Sequence, residues 1–93
     1  MVNSLDTDVL EAVEVKKQTV KELNVVLHND DVNSFDFVID SLIEVCKHDA
    51  LQAEQCTILV HYKGKCKVKR GSFSELRPIR NELTNRGLTA TIE

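Results

Sequence analysis

Leu23-Asn24-Val25-Val26-Leu27-His28-Asn29-Asp30-Asp31, followed closely by Asn33-Ser34-Phe35-Asp36-Phe37-Val38-Ile39, is the stretch on which the reading of this chain turns. Leu23 to Leu27 is short, apolar and rich in β-branched residues, which suits a pleated strand. It stops at His28-Asn29-Asp30-Asp31, whose side chains favour turns by bonding nearby backbone amides. Asn33 then stands where a helix N-cap would, with Asp36 three residues on as a capping-box-like pair beside the positive end of the helix dipole. Phe35, Val38, Ile39, Leu42, Ile43 and Cys46 recur at helical spacing, opposite Asp36, Asp40, Glu44 and Lys47. The passage therefore reads as strand, polar turn and amphipathic helix.

Working outward, Asp49 with Gln52 repeats the capping pattern and opens a second helix through Ala53, Cys56, Ile58, Leu59 and Val60, which ends near His61-Tyr62 before Gly64. Lys65-Cys66-Lys67-Val68-Lys69 alternates strictly, with Cys66 and Val68 on one face, as a half-buried strand would. Ser72 and Glu75 cap a third helix whose apolar stripe, Leu76, Ile79 and Leu83, runs to Gly87; Pro78 must lie early in that helix or bend it. Leu88-Thr89-Ala90-Thr91-Ile92 alternates again and closes the chain as a strand with Leu88, Ala90 and Ile92 inward. The order β-α-α-β-α-β predicts an α+β, two-layer sandwich: a three-stranded antiparallel sheet covered by three helices. Residues 23–93 form that domain. Residues 1–22, acidic with Lys16, Lys17 and Lys21 and without a sustained apolar period, read as a flexible N-terminal extension, with one marginal helical turn around Val9, Leu10 and Val13.

A chain of 93 residues can bury one modest core but has no room for a separate catalytic lobe, which favours a binding module. Its 42% hydrophobic and 29% charged residues are ordinary for a globular protein, and a net charge of -3 offers no bulk attraction to nucleic acid or to an acidic membrane. The acidic start carries no basic region followed by an apolar run, so neither a secretion signal nor a transit peptide is expected, and no stretch is long enough to span a bilayer. Cys46, Cys56 and Cys66 are odd in number and lack a Cys-x-x-Cys pair, which argues against a disulfide framework or zinc knuckle and for reduced thiols in the cytoplasm. No metal or other cofactor is expected.

Three blocks together carry a resemblance to a known family. Val25-Val26-Leu27-His28-Asn29-Asp30-Asp31 followed by Phe37-Val38-Ile39 resembles the hallmark of ClpS adaptors. Ala53-Glu54-Gln55 leading through Val60-His61-Tyr62-Lys63-Gly64-Lys65 resembles the helix that carries that family's histidine, and Gly87-Leu88-Thr89-Ala90-Thr91-Ile92-Glu93 is similar to its terminal strand. The resemblance implies the same sandwich fold and a non-enzymatic role: recognition of N-degrons that begin with Leu, Phe, Tyr or Trp. It implies a partner as well, the amino-terminal domain of an AAA+ Clp unfoldase of the ClpA or ClpC type, with the extension before Leu23 as the segment the unfoldase grips. By position it assigns Asn29, Asp31 and His61 to the substrate's α-amino group, with Asp30 supporting the polar turn. Asn33, Phe35, Val38, Thr57, Val60 and Leu88 fall at positions of the pocket for the first side chain.

The chemistry is consistent with that assignment. A free amino terminus, with a pKa of about 7.7 to 8.0, is an ammonium that needs negative charge and acceptors. Asp31 can supply the charge, the Asn29 amide oxygen can accept, and a neutral His61 can accept through one ring nitrogen while a neighbour fixes the other. Two departures from the family pattern stand out: Asn33-Ser34-Phe35 replaces a common Thr-Pro-Met, and Thr57 brings a hydroxyl that could meet the polar tip of a Tyr or Trp.

Rival readings exist for the same residues. An Asn-Asp-Asp turn is usually only a turn, and a histidine ending an apolar helix is usually a cap or core residue. Lys63, Lys65, Lys67, Lys69 and Arg70 are explained as the solvated face of a strand, with too few aromatics nearby for a nucleic-acid platform. Cys56 or Cys66 beside His61 could serve as a nucleophile and base, but the spacing puts Cys56 off the face of His61. A second function class is a protein-binding domain of the same fold with another partner, such as the substrate-binding piece of a ubiquitin-ligase-like recognin or a ribosomal-stalk-type module.

Overall fold

The structure is a computed structural model and describes residues 21–93. The expected extension, apart from Lys21 and Glu22, and the helical turn around Val9, Leu10 and Val13 lie outside the described residues. The elements follow the order β1 (Leu23–His28), α1 (Phe35–Cys46), α2 (Ala50–Lys63), β2 (Lys65–Gly71), α3 (Phe73–Asn85) and β3 (Thr89–Ile92). The strands make one antiparallel sheet in the order β2-β1-β3, so the first strand is central and has a neighbour on each side. That is the sandwich which the hydrophobic patterning predicts.

Alternation along β1 decides which residues face the helices. Val25 and Leu27 enter the core with Val38, Leu42 and Cys46 of α1, Ala53 and Val60 of α2, Val68, Leu76, Leu83 and Leu88. Val26 points to the other face, flanked across the ladder by Lys67 and Thr91, and is still only 3% exposed. Ends of the helices are set by local chemistry. Asp49 caps α2 through Gln52 N–H at 2.7 Å, and Gly64 ends it at φ 90°, a left-handed conformation that costs glycine nothing. Ser72 and Glu75 form a full capping box on α3, and the Ser72 backbone N–H and hydroxyl hold the Glu75 carboxyl below its usual value. Pro78 sits inside α3, where it removes one helical N–H donor.

The first cap differs from expectation. Ser34, not Asn33, caps α1: its hydroxyl accepts from Phe37 N–H at 3.1 Å with the backbone extended at φ -70°, ψ 156°. Serine and asparagine are near-equal caps, so adjacent candidates are separated only by where the chain turns. Asn33 is thereby freed for a different task.

An irregularity in the sheet is resolved by a buried histidine. The β1–β2 register slips between Val25 and Val26, which pair with Lys69 and Lys67, so Val68 has no residue opposite it. His48, 6% exposed, donates from Nε2 to the Val68 carbonyl at 2.6 Å, and Lys69 Nζ reaches the Cys46 carbonyl at the end of α1. Lys47, in the left-handed region at φ 61°, turns the chain so that His48 can enter. His48→Phe keeps a ring in place but removes that bond; a loss of about 1 to 3 kcal/mol is expected in urea unfolding, and unchanged stability would show that the bond contributes nothing.

Candidate functional site

One end of the sandwich opens into a cavity of about 280 Å³. It gathers every residue that the sequence singled out: Asn29, Asp30, Asp31, Asn33, Phe35 and Val38 from the β1–α1 loop and α1, Thr57, Val60 and His61 from α2, and Leu88 before β3. Leu27 and His28 line it too and were missed. Strand alternation could have flagged them, because the last residues of β1 must border whatever the following turn surrounds.

The loop that carries the polar residues is tied at both ends. Asn29 N–H donates to the Gly64 carbonyl at 2.9 Å, which binds the start of the loop to the end of α2, one turn beyond His61. Asp30 organises the middle. Its Oδ1 accepts from the backbone N–H of Val32 at 3.0 Å and of Asn33 at 2.9 Å, and the Asn33 side-chain amide donates to both carboxylate oxygens, at 3.1 and 3.0 Å. Partial burial would raise the Asp30 pKa, but these bonds from Asn33 and Val32 outweigh it and hold the carboxyl below its ordinary 3.8. Asp30 is thus a brace for the loop, with its acceptors already occupied.

Asp31 is left available. It is exposed, and among the described residues its carboxylate makes no hydrogen bond or ion pair, so its charge faces the cavity without an internal partner. His61, also exposed, stands across from it on the last turn of α2. The expected hydrogen-bonding neighbour for the second ring nitrogen is not found among the described residues. The imidazole is instead packed edge-on between two rings, Phe35 with centroids 6.3 Å apart and Tyr62 at 5.1 Å.

The apolar wall is made by Val38, Val60 and Leu88, at 8%, 5% and 4% exposure, with Leu27 behind them. Phe35, 41% exposed, stands at the rim. Thr57 is buried, and its hydroxyl hydrogen goes to the Ala53 carbonyl one helical turn back, at 2.7 Å, which leaves the oxygen as an acceptor. Asn33, placed by the sequence among the pocket residues, contributes a polar amide rather than apolar surface. At the far rim His28 bonds the Thr91 hydroxyl at 2.8 Å, and Thr91 in turn donates to Glu93, an interaction that heads the causes lowering the Glu93 carboxyl.

Burial pushes the Cys56 thiol up to about 12 and Cys46 up to about 11, which withholds the thiolate a nucleophile needs. Among the described residues no three His, Cys, Asp or Glu side chains are placed to hold a metal ion, and no helix is long and apolar enough to cross a membrane.

At this end of the sandwich a polar loop thus faces an apolar wall across one cavity. Residues 18–91 match the family described as ATP-dependent Clp protease adaptor protein ClpS, and the chain belongs to that family. It is 41% identical over 59 residues to the ATP-dependent Clp protease adapter protein ClpS of Vibrio atlanticus, a match that covers 63% of this chain and 56% of that one. Against the protein of the same description from Pectobacterium carotovorum it is 38% identical over 66 residues, 69% of this chain and 62% of the relative. The matches thus span somewhat more than half the length of these relatives. Among solved structures, that of Agrobacterium tumefaciens ClpS2 bound to L-phenylalaninamide has the same fold, with a TM-score of 0.75 at 24% identity over 78% of this chain and 95% of that one.

The Asp30 brace gives a pH test. A carboxyl whose folded pKa is depressed stabilises the fold above its unfolded value and loses that contribution as pH falls through its folded value. The protection factors of the Val32 and Asn33 amides, each referred to the intrinsic exchange rate at the same pH, should therefore hold from neutral pH down and fall only below about 3.8. Protection unchanged at pH 2 in a chain that remains folded would remove Asp30 as the organiser of the loop.

Proposed function

We propose that this chain is a protease adaptor: it holds the free amino terminus of a protein that begins with Leu, Phe, Tyr or Trp and delivers that protein to an AAA+ Clp unfoldase. The observation that carries the reading is the meeting, in one cavity sized for a single residue, of a carboxylate without a partner among the described residues, an amide and an imidazole with an apolar wall. Membership of the ClpS family supports the delivery step, and a protein of the same fold was solved with L-phenylalaninamide, which pairs a free α-ammonium with an aromatic side chain.

In this mechanism the ammonium enters beside Asp31, which supplies the charge, and donates its remaining hydrogens to the Asn29 amide oxygen and to neutral His61. Charge-assisted bonds of this kind contribute about 1.5 to 3 kcal/mol each. The first side chain slides between Val38, Val60 and Leu88 and gains roughly 1.5 to 3 kcal/mol more by leaving water. After the cost of immobilising the peptide end, dissociation constants on the order of micromolar result. No bond is made or broken in this cycle; the adaptor holds and transfers.

The decisive experiment is a titration of labelled peptides that differ only at the first residue or in its acetylation. Acetylation removes the charge and all but one donor, so affinity for Leu- and Phe-starting peptides should fall about a hundredfold or more, as two lost charge-assisted bonds require. Equal binding of free and acetylated peptides would refute the reading and leave a module with another partner. Adding a Clp unfoldase and its peptidase should then speed breakdown of the same substrates.

Phe35 shapes the selectivity. Its ring stands at the rim against His61, and Phe is bulkier and less adaptable than the Met common at this position in relatives. Leu-, Phe-, Tyr- and Trp-starting peptides should bind unequally, and Phe35→Met should narrow the spread. The same ranking with the same spread in the variant would remove Phe35 as its cause.

A further inference from the structure

We infer that Asn33 is a positioning residue that sets first-residue discrimination by bracing the width of the cavity, an inference that rests on the adaptor reading above. Its side-chain Nδ2 makes contacts on two sides: to the Asp30 carboxylate, and at 2.9 Å to the backbone carbonyl of Gly87, 54 positions along the chain. Both neighbours can only accept, so the amide orientation is fixed by chemistry, with one hydrogen for each. This bond links the β1–α1 loop directly to the corner between α3 and β3.

The corner it grips carries the opposite wall. Gly87, at φ +88°, turns the chain out of α3, and Leu88, the next residue, lines the cavity while its N–H is held by the Leu83 carbonyl at 3.0 Å. At the other end of the loop, Asn29 N–H is fixed to Gly64 beside His61. The ammonium acceptors are therefore referenced to α2, whereas the distance from them to Leu88 depends on the Asn33 amide. Cutting that brace should leave recognition of the ammonium in place and alter how large a side chain fits between Val38 and Leu88.

Asn33→Asp tests this, because it keeps size and shape while replacing the donor with a carboxylate that faces one carbonyl and one carboxylate. Affinities for Leu-, Phe- and Trp-starting peptides, free and acetylated, are measured for the wild-type chain and the variant. The expected result is a change of about fivefold or more in the Leu-to-Trp affinity ratio, the equivalent of one net hydrogen bond, with the preference for free over acetylated peptides retained. A residue that only stabilised the fold would weaken all free peptides by one common factor; that outcome, or no change, overturns the inference. If the aspartate variant does not fold, Asn33→Ala supports the same comparison, since it removes the brace without adding charge. A wild-type chain that binds none of the peptides would sink the adaptor reading and this inference together, whereas wild-type selectivity with an unaltered Leu-to-Trp ratio in the variants sinks this inference alone.

Discussion

The carboxylate of Asp30 is the interaction on which the site depends. Short loops that leave a sheet carry backbone N–H groups with no strand partner, and each one left unmatched in a partly buried place costs free energy comparable to a lost hydrogen bond. Asp30 accepts from Val32 and Asn33 and so closes the turn within itself. With those donors satisfied internally, the side chains of Asn29 and Asp31 on either side make no hydrogen bond among the described residues. An aspartate that anchors and an aspartate that is offered stand next to one another, and only the hydrogen bonding tells them apart.

The scaffold beneath the loop is rigid for reasons that lie elsewhere. β1 is central in the sheet, so the strand that delivers the loop is fixed on both edges, and the slip in its pairing with β2 is made good by His48. Helix α2 ends at Gly64, whose carbonyl receives the loop, so His61 and Asn29 are held close by the same turn. Residues remote in sequence meet because two helix ends, at Gly64 and Gly87, both finish beside one strand end. A left-handed glycine at each stop lets the chain reverse there without strain.

Periodicity made most of this legible. The strands, the three helices and most of the core follow from alternation and from the stripes of α1 and α3, because burial on one side of an element is what produces those patterns, although Phe35 at the head of the first stripe stands at the rim. The gathering of Asn29, His61 and Leu88 was legible only through resemblance, since no local rule brings residues so far apart into one cavity. What escaped the sequence was the direction of individual polar side chains. Ser34 caps where Asn33 was expected, Thr57 turns its hydrogen back to Ala53, and His61 is packed between rings rather than hydrogen-bonded. Each of these is a choice between alternatives that differ by about 1 kcal/mol, decided by tertiary neighbours the sequence does not display.

Those small choices add up to preorganisation. A protonated chain end gives up strong hydration on binding, so acceptors that had first to break internal bonds would return little. Asp31 has no such bond to break among the described residues, and the loop presenting it is already closed by Asp30 and stapled at Gly64 and Gly87. The apolar wall is equally ready, since Val38, Val60 and Leu88 are members of the core cluster and the corner carrying Leu88 is tied to the loop through Asn33. On the proposed adaptor reading, a ligand would order itself against a surface already in place, and little of its contact energy would go into arranging the protein.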